Sequence, residues 1–529
     1  GMCDATTGAP VSDPDFTDVP CLEIRTITDI NGTVLTLDAP LENQHAVGEA
    51  VGIEFVNYEW YTDADQGTVF FHDHIRFSNW DHGLFGALIV EPKGATYRDP
   101  ETGAEIRSGA RADIHAPAGA SVGWGQQGSF REQMIFVHNA RIEIPGRPDE
   151  LKIATINMNS EPWSDRGGDF PFSSVAHGDP STPVVRAYLG DDVVLRTLGL
   201  VERIGALRLT GHRFRQERFA EDGTLRDIVN LGISAAENLI LDGGAGGPEG
   251  SPGDYLFYNT KQEDLERGAW GILRVHDTAQ GDLQPLPDAP APPSGAGFPQ
   301  LTETGGLPPA ATDPGNPCGP GAPIRSIEVE IGEFPFSTSR LSERQFFALE
   351  GDVADILAGT KPYEPLVIRM NAGECLEVGV RNSSGDIQGF NVSGTIAFDA
   401  QGSHGSAIGF NEDATVDRDA RRVYRIYADQ ELGTALFTSL ADPRSAMEGA
   451  YGAIIVEPVG ATWRDPVTGG ALDAGTQADV LLADGTGFRE QVVLFEDQDD
   501  DIGQNVMPYP IHVSGFTGLN YAADPLHLE

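Results

Sequence analysis

Two histidines separated by a single residue, His72 and His74, have the spacing best suited to chemistry in this chain. They end a β-rich run that begins at Val69. Because alternate residues of a strand face the same side, the two imidazoles should project together, about 6 to 7 Å apart at Cα. Imidazole nitrogen is a good copper ligand, and this spacing suits two neighbouring copper ions. A lone His-x-His pair also arises by chance, so the surrounding sequence decides its meaning.

The pair lies inside an internal repeat. Residues 67–100, GTVFFHDHIRFSNWDHGLFGALIVEPKGATYRDP, align without a gap with residues 433–466, GTALFTSLADPRSAMEGAYGAIIVEPVGATWRDP. About half of the aligned positions are identical, which indicates one structural unit built twice. A weaker third copy, GDYLFYNTKQEDLERGAWGILRVHD, occupies residues 253–277. Two further matches follow the unit: Phe130-Arg-Glu-Gln with Phe488-Arg-Glu-Gln, and Ile156-Asn-Met-Asn-Ser-Glu-Pro with Leu519-Asn-Tyr-Ala-Ala-Asp-Pro.

Only one copy keeps the histidines. The residues at the positions of His72, Asp73 and His74 are Thr438, Ser439 and Leu440 in the second copy, and Tyr258, Asn259 and Thr260 in the weak third copy. None of these replacements offers imidazole nitrogen or thiolate, so neither copy is expected to bind copper at this place.

The repeat also predicts the fold class. Each copy has the pattern strand, loop and strand, and the second strand of the first copy, from Ala87, is stopped by a proline. The chain has 64 glycines and 36 prolines, which favours short strands joined by tight turns. We therefore expect an all-β protein of tandem Greek-key β-sandwiches, several of them degenerate. The stretch from Thr28 to Asp38 predicts an additional hairpin with an Asn-Gly turn.

Five segments are expected along the 529 residues. They are residues 1–115, the C-terminal part of a first domain with a β insertion at about 3–55; residues 125–277, a second domain; residues 278–323, a Pro/Gly-rich linker; residues 324–470, a third domain; and residues 485–529, the start of a further, incomplete domain. The first and last domains lack strands that the other copies have. We expect the remainder of a longer polypeptide, or another chain, to complete them.

Composition limits the partners. The formal net charge is -45, from 80 acidic and 35 basic residues, which disfavours nucleic acid, because phosphate binding needs clustered Lys and Arg. The acidic surface either solubilises the chain or attracts cations, including a metal substrate. The acidic loop from Glu496 to Asp501 is a solvated turn or a calcium or manganese site. No apolar stretch of about 18 residues is present, so no transmembrane helix is expected.

The four cysteines are Cys3, Cys21, Cys318 and Cys375. None lies in a C-x-x-C motif or beside a histidine, so a zinc or redox motif is not expected. Disulfides Cys3–Cys21 and Cys318–Cys375 would fit an oxidising, extracytoplasmic compartment, whether secreted, periplasmic or on the cell surface. Four buried thiols are the alternative.

The sequence around the histidine pair resembles the multicopper oxidases. The string G-T-x-x-F-H-D-H, followed by H-G-L-F-G-A-L-I-V-E-P, is similar to the H-x-H that ends a cupredoxin strand in that family. The G-A-T-Y-R-D-P that follows looks most like the large bacterial members, which include manganese oxidases. Further similar strings begin at His177, Gly211, Gly268 and Asn371. The resemblance implies cupredoxin-like domains over nearly the whole chain outside residues 1–55 and the linker.

By this resemblance, His72 and His74 contribute to a trinuclear copper centre. Asp73 stands where a type 1 copper site has cysteine, so this strand holds no blue copper. Asp73 and His82 are candidates for residues that support the cluster. The family's centre takes four His-x-His pairs, and its pair on an earlier strand aligns here with Asn391-Val-Ser393. The missing ligands are therefore expected on further sequence or on a partner chain.

Three functions are compatible with these features. The first is a segment of a secreted multicopper oxidase, which couples oxidation of Mn(II), another reduced metal or phenols to reduction of dioxygen to water. The second is a scaffold or assembly subunit of degenerate cupredoxin domains, which the copies without histidines favour. The third is a surface protein or adhesin with a cation-rich coat, suggested by the hairpin module at residues 22–55. Further His-x-His pairs and an H-C-H in the completing sequence would favour the oxidase.

Overall fold

The computed structural model describes residues 25–42, 47, 59–73, 77–123, 126–143, 150–201, 205–215, 223–335, 343–442, 444–497 and 517–521. These residues form 33 short strands and five short α-helices, which confirms the predicted all-β class. The chain divides into two compact units, residues 1–63 and residues 64–529. His74, Cys3 and Cys21 lie outside the described residues.

The described strands of the first unit are β1 (Ile27–Asn31) and β2 (Val34–Leu37). They pair antiparallel, with Asn31 opposite Val34. Gly32 opens the two-residue turn at a φ of +64°, a conformation that costs glycine little. The predicted hairpin is confirmed, but its turn residues are Gly32 and Thr33 and not Asn31 and Gly32, because Asn31 still pairs with Val34.

The second unit begins with the first repeat copy. Its elements are β3 (Gly67–His72), α1 (Phe77–Asp81), β4 (Phe85–Val90), β5 (Thr96–Arg98) and β6 (Arg111–His115), followed by the short strands β7 (Ser121–Gly123) and β8 (Gln126–Gln127). β3 and β4 form an antiparallel hairpin, and β5 pairs with β6. We call β3, α1 and β4 the His72 hairpin.

Sandwich A follows. Its elements are β9 (Phe130–Glu143), β10 (Glu150–Ile156), α2 (Ser174–His177), β11 (Val184–Tyr188), β12 (Val193–Val201), β13 (Gly205–Leu209), β14 (Phe214–Arg215), β15 (Leu225–Arg226), β16 (Ile228–Leu231), β17 (Ala236–Ile240), β18 (Gly253–Asn259), α3 (Gln262–Glu266) and β19 (Trp270–His276). One sheet has the order β17-β12-β9-β6-β5, with β10 also paired to β9. The other has the order β11-β19-β18-β13-β16.

Sandwich B repeats this plan. Its elements are β20 (Ile324–Pro335), β21 (Glu343–Leu349), α4 (Val353–Leu357), β22 (Leu366–Asn371), β23 (Cys375–Asn382), β24 (Asn391–Val392), β25 (Ala397–Phe398), β26 (Arg421–Tyr427), β27 (Gly433–Thr438), α5 (Arg444–Met447) and β28 (Tyr451–Glu457). Its sheets have the orders β21-β20-β23-β26-β25 and β22-β28-β27-β24. The parallel pairs correspond, because β9 with β12 matches β20 with β23, and β11 with β19 matches β22 with β28.

The last described strands are β29 (Thr462–Arg464), β30 (Gln477–Leu481), β31 (Gly487–Gln491), β32 (Phe495–Asp497) and β33 (Thr517–Leu519). The sheet β29-β30-β31 corresponds to β5, β6 and the start of β9. An asparagine turn is also repeated. The Asn157 Oδ1 accepts from the Phe136 amide at 2.7 Å, and the Asn520 Oδ1 accepts from the Leu494 amide at 2.8 Å. The structure thus extends the repeat past the hairpin.

Alternating apolar residues build the cores between the sheets. In sandwich A, Ile135 and Val137 of β9 pack with Leu195 and Leu273. In sandwich B, Val329 and Ile331 belong to the equivalent cluster. Burying each such side chain stabilises the fold by about 1.5–3 kcal/mol.

Residues 278–323 contain no strand or helix, yet they pack against the sandwiches. Leu283 and Phe298 are buried, and the Tyr188 hydroxyl donates to the Leu283 carbonyl at 2.7 Å. A disulfide joins Cys318 to Cys375 at the start of β23, which confirms that pairing. Within the described residues, no helix has the length and apolar character needed to cross a bilayer.

Candidate metal site at the His72 hairpin

The hairpin that positions His72 is built three times. In each copy a phenylalanine of the first strand lies opposite a glycine of the second: Phe71 and Gly86, Phe257 and Gly271, Phe437 and Gly452. The ring covers the glycine so closely that a β-carbon there would collide with it. A second glycine with positive φ closes each turn: Gly83, Gly268 and Gly449. Small residues at these places therefore fix the register of all three hairpins.

That register places His72 opposite Phe85, Tyr258 opposite Trp270 and Thr438 opposite Tyr451. The position that the sequence alignment assigned to His72 is thus the same structural position in every copy.

The His72 ring is held between aromatic side chains. It stacks on Phe70, with ring centroids 4.7 Å apart and planes 11° apart, and lies 5.7 Å from the Trp80 ring. Its Nδ1 is 2.9 Å from the Asp73 carbonyl oxygen. Because a carbonyl oxygen only accepts, Nδ1 donates in this contact. Histidines that bind a metal through Nε2 commonly donate Nδ1–H to a carbonyl oxygen in this way.

The end of β3 differs from the sequence prediction. A strand was predicted through His74, but β3 ends at His72 and Asp73 leaves the strand. The Asp73 amide donates to the Leu84 carbonyl, and its Oδ2 accepts from the Asn79 Nδ2 at 2.9 Å. Asp73 therefore ties the end of β3 to α1. His82 is exposed in the turn that follows α1.

A histidine outside the predicted motif lies in the same layer. His138 is on β9, is only 4% exposed, and its ring centroid is 5.4 Å from that of Phe85, the residue opposite His72. Burial lowers the pKa of His138 to about 4, so its imidazole is neutral at ordinary pH. Its Nε2 is buried without a hydrogen-bond partner among the described residues.

The last repeat copy fills the same positions without histidine. Glu496 occupies the position of His138 and Tyr451 that of Phe85, and the Tyr451 hydroxyl donates to the Glu496 Oε2 at 3.0 Å. The Ser439 hydroxyl accepts from the Gly389 amide at 3.1 Å. Leu440 belongs to an apolar cluster. Tyr451 and Glu496 thus satisfy each other in this layer.

The middle copy is closed by ionic and amide contacts. Tyr258 lies opposite Arg208, and the Arg208 Nε is 3.2 Å from the Asp227 Oδ2. The Asn259 Nδ2 donates to Asp264 Oδ2 at 2.9 Å. Arg208, Asp227 and Tyr258 are all buried. These contacts engage Tyr258 and Asn259, which align with His72 and Asp73.

The remaining positions of interest have structural partners. The Asn391 Nδ2 donates to the His404 carbonyl, and the Ser393 hydroxyl contacts the Thr395 hydroxyl. His212 uses both ring nitrogens, since Nδ1 contacts the Thr210 carbonyl and Nε2 accepts from the Gly246 amide. Burial lowers the pKa of His212 to about 4 and that of His404 to about 3.

Within the described residues, no three or more His, Cys, Asp or Glu side chains cluster closely enough to hold a metal ion. The described part of the site therefore supplies His72 and, in the same layer, His138. The donor type fits copper, because neutral imidazole suits copper better than it suits calcium or magnesium.

A buried charge cluster anchors the His72 hairpin to sandwich A. The Arg196 guanidinium lies 2.5 Å from Glu91, at the end of the hairpin, and 2.9 Å from Glu132 of β9. Burial, and beyond it the neighbouring Glu132, raise the pKa of Glu91 to about 8 against the opposing charge of Arg196. One carboxyl of the pair thus holds a proton near neutral pH.

A cleft of about 770 Å³ opens beside β10 and α3. Thr155 and Trp163 line it on the side of sandwich A, and Asp442 and Arg444 on the side of sandwich B. Its lining mixes acidic and basic side chains, so its charge selects no ligand class.

No family model matches the sequence. A relative from Kuenenia stuttgartiensis, described as a probable nitrite reductase-hydroxylamine oxidoreductase fusion protein, is 22% identical over 230 residues. The match covers 42% of this chain and 21% of the relative, so the chain spans about a fifth of that protein's length.

Among solved structures, the chain is similar to the laccase from Botrytis aclada, at 14% identity, a TM-score of 0.25, and coverage of 74% of this chain and 70% of the laccase. It is similar to a multicopper oxidase from Campylobacter jejuni, described as a metallo-oxidase, at 10% identity, a TM-score of 0.34, and coverage of 69% and 98%. A copper nitrite reductase from Nitrosomonas europaea matches at 11% identity, a TM-score of 0.19, and coverage of 61% and 93%. At these identities, function has to be inferred from the side chains of this chain.

Proposed function

We propose that the chain is part of a copper-dependent oxidoreductase of the multicopper oxidase type, in which His72 and His74 bind copper. The observation that carries the proposal is the orientation of the His72 ring. Its Nδ1 is engaged by the Asp73 carbonyl at 2.9 Å and its ring is stacked on Phe70, which orients Nε2 as a ligand atom. The sequence around the pair, which resembles that of the multicopper oxidases, supports the same assignment.

The pair is one contributor to a trinuclear centre that other sequence completes. Two features of the His72 hairpin support this. Among the described residues, β3 and β4 pair only with each other, whereas β18 and β19 are flanked by β13 and β11, and β27 and β28 by β24 and β22. Phe71 is 48% exposed, whereas its counterparts Phe257 and Phe437 are fully buried. The rest of the same polypeptide, or another chain, would supply the missing strands and ligands.

His72 and His74 would hold the copper, whose redox chemistry would couple oxidation of a substrate to reduction of dioxygen to water. The substrate class is Mn(II), another reduced metal ion or a phenol, and the net charge of -45 favours a cation. The chain's own residues would hold the metal and limit water, because Trp80 is buried and Phe70 covers one face of His72. The disulfide Cys318–Cys375 supports an extracytoplasmic location.

Metal analysis of the full-length native protein tests the proposal. We expect copper in the native protein, and loss of both copper and oxygen consumption in the double variant His72→Ala, His74→Ala. His177→Gln, which changes an exposed histidine of sandwich A, should keep both. Unchanged copper content in the double variant would contradict the assignment.

A scaffold of degenerate cupredoxin domains, without catalysis, is the second candidate. The other two copies favour it, since their side chains at this place pair with one another, Arg208 with Asp227 and Tyr451 with Glu496. It predicts native protein without copper and without oxygen consumption. Calcium bound in stoichiometric amount, with copper absent, would instead support a surface protein.

A further inference from the structure

We propose that copies of this chain associate head to tail. The surfaces that meet are one face of the His72 hairpin in one copy and one face of β32 and β33 in the next copy. Each face is half of a sandwich core, and the chain itself shows twice how two such halves pack together. Copper binding plays no part in this association, which goes beyond the proposed function.

The first of these surfaces, the tail face, lies on β32, on β33 and on the residues just before β32. It is formed by Val493, Phe495 and Leu519, which are 52%, 80% and 48% exposed. Phe495 pairs with Leu519 across the two strands, so their side chains leave the sheet on one side. The alternate residues Val492 and Leu494 point the other way and are buried in a cluster with residues of β28. One side of this sheet is therefore packed, and the other is an apolar surface.

Sandwich A shows what covers the equivalent positions. Phe495 and Leu519 correspond to Val137 and Ile156, which pair in the same way on β9 and β10. Val137 and Ile156 are buried, and Phe257 of the β18–β19 hairpin belongs to the same core cluster. A hairpin thus helps to close in sandwich A the face that is open in the last copy.

The second surface, the head face, is one side of the His72 hairpin. It is formed by Val69, Phe71 and Leu88, because Val69 lies opposite Leu88 and Phe71 is two residues further along β3. Phe71 is an exposed side chain, and Val69 and Leu88 are partly exposed. The other side of the hairpin, which includes Phe70 and Ile89, packs on sandwich A. The head face is therefore the side that sandwich A leaves uncovered.

The cores of sandwiches A and B show the two kinds of face in contact. Phe257 and Phe437 occupy the position of Phe71 in their hairpins. Phe257 shares a core cluster with Val137 of β9. Phe437 shares a core cluster with Ile331 of β20. The interface between a hairpin and the first strand of a sandwich is thus established twice in this chain, and a second copy can supply to each open face the half that it lacks.

The contact is heterologous, because the surface used on one copy differs from the surface used on its partner. A pair of copies still has one head face and one tail face open, so association can continue into a ring or a filament. Burial of apolar side chains drives the contact, whereas the net charge of -45 on each copy opposes it. Salt screens that repulsion, so the association should strengthen as the salt concentration rises.

Sedimentation equilibrium of the full chain, at about 0.05 M and about 0.5 M NaCl, tests the proposal. We expect a weight-average mass above that of one chain, and a larger one at the higher salt. Phe71→Glu and Phe495→Glu each place a charge on one face, and each should weaken association at least about tenfold, because an unpaired charge resists burial. Val467→Glu changes a valine that is 90% exposed outside both faces, and it should associate like the native chain.

An equimolar mixture of the two weakened variants identifies the surfaces. The Phe71→Glu chain retains its tail face, and the Phe495→Glu chain retains its head face. The mixture should therefore form dimers and nothing larger, while each variant alone stays a single chain. Circular dichroism of each variant, compared with the native chain, shows that the loss of association does not arise from unfolding.

Two results would overturn the proposal. One is a native chain that stays single at every concentration and salt, which would mean that something other than a second copy covers these faces. The other is a mixture that stays as single chains although the native chain associates, which would place the contact elsewhere. Neither result bears on copper binding, so the assignment of His72 and His74 would stand or fall separately.

Discussion

The first and last hairpins of the chain share strands and register, yet the layers beneath them differ. Under β27 and β28, Tyr451 and Glu496 satisfy each other at 3.0 Å. Under β3 and β4, the neutral His138 faces Phe85 with its Nε2 unsatisfied among the described residues. Because the last copy folds without any histidine at these places, the scaffold does not need them. The comparison teaches that the two copies close the same layer with different side chains, a tyrosine–glutamate pair in one and aromatic and imidazole rings in the other.

The charge clusters beside the two hairpins extend the comparison. Glu91 and Glu132 meet Arg196 in the first copy, and Glu457 and Glu490 meet Arg369 in the last. The acids occupy equivalent positions, but the arginines do not: Arg196 comes from β12 of sandwich A, and Arg369 from β22, which pairs with β28 itself. The carboxyl pair is the repeated feature, and whichever strand lies beside it supplies the arginine.

The largest expected effect comes from removing the arginine at the first hairpin. Arg196→Met leaves two buried carboxyl groups, Glu91 and Glu132, without their cation. The stability of the chain should fall by about 3–5 kcal/mol, because an uncompensated buried charge is costly. Urea unfolding followed by tryptophan fluorescence measures the loss.

The comparison supplies the controls for this change. Arg369→Met should cost a similar amount at the last hairpin if the two clusters are equivalent. The triple variant Glu91→Gln, Glu132→Gln, Arg196→Met should recover most of the loss, because it removes the charges together. A triple variant no more stable than Arg196→Met would show that packing, and not charge, explains the effect.

A smaller effect is expected at the asparagine turns. Asn157 and Asn520 have φ values of 51° and 47°. The Asn157 side chain bridges the backbone of Met134 and Phe136 on β9, and the Asn520 side chain bridges that of Val492 and Leu494, just before β32. Asn157→Gly keeps the left-handed conformation and removes only the side-chain hydrogen bonds. We expect a loss of about 1–3 kcal/mol in urea unfolding.

Asn520→Gly is the matched change in the last copy. Similar losses at both turns would show that the two asparagines stabilise the first strand after each hairpin to the same extent. A loss at Asn157 alone would restrict the turn's stabilising role to sandwich A.

Much of the fold follows from sequence patterns that are local. The gap-free match between residues 67–100 and 433–466 predicted equivalent strands, and β3 and β4 do occupy the same places as β27 and β28. The strings that begin at Ile156 and Leu519 match in sequence, and the structure shows that they form the same asparagine turn, at Asn157 and Asn520. Turn glycines and alternating apolar residues act within a few positions of each other, so they can be recognised in sequence.

The sequence pattern identified His72 but not His138. His72 was recognisable because its motif is local, whereas His138 belongs to no motif and meets the hairpin only through packing of β9 on β4. In the alignment, its replacement by Glu496 reads as an ordinary mismatch. The Arg208–Asp227 ion pair was equally hidden, because its partners lie on separate strands. Positions 72, 85 and 138 all differ between the first and last copies, but only the contacts in the structure show that the three changes are connected.

The smallest expected effect is a difference in pH dependence between the two carboxyl pairs. Burial raises the pKa of Glu91 from 4.5 to about 8, and that of Glu457 from 4.5 to about 7. Each native carboxyl holds its proton over a range in which the unfolded chain has lost it. The stability that each contributes is therefore fully present below about pH 4.5 and is lost as the pH rises through the folded value, by at most about 1.4 kcal/mol per pH unit.

Substituting either acid by glutamine removes the contribution of that acid to the dependence of the unfolding free energy on pH. With Glu91→Gln, stability measured by urea unfolding should fall less steeply than in the native chain from about pH 4.5 to about pH 8. With Glu457→Gln, the slope of stability against pH should differ from that of the native chain only up to about pH 7, because the native Glu457 has by then lost most of its proton. Equal slopes for both variants above pH 7 would show that the two clusters titrate alike. The first hairpin would then differ from the last in its histidine layer and not in its charge cluster.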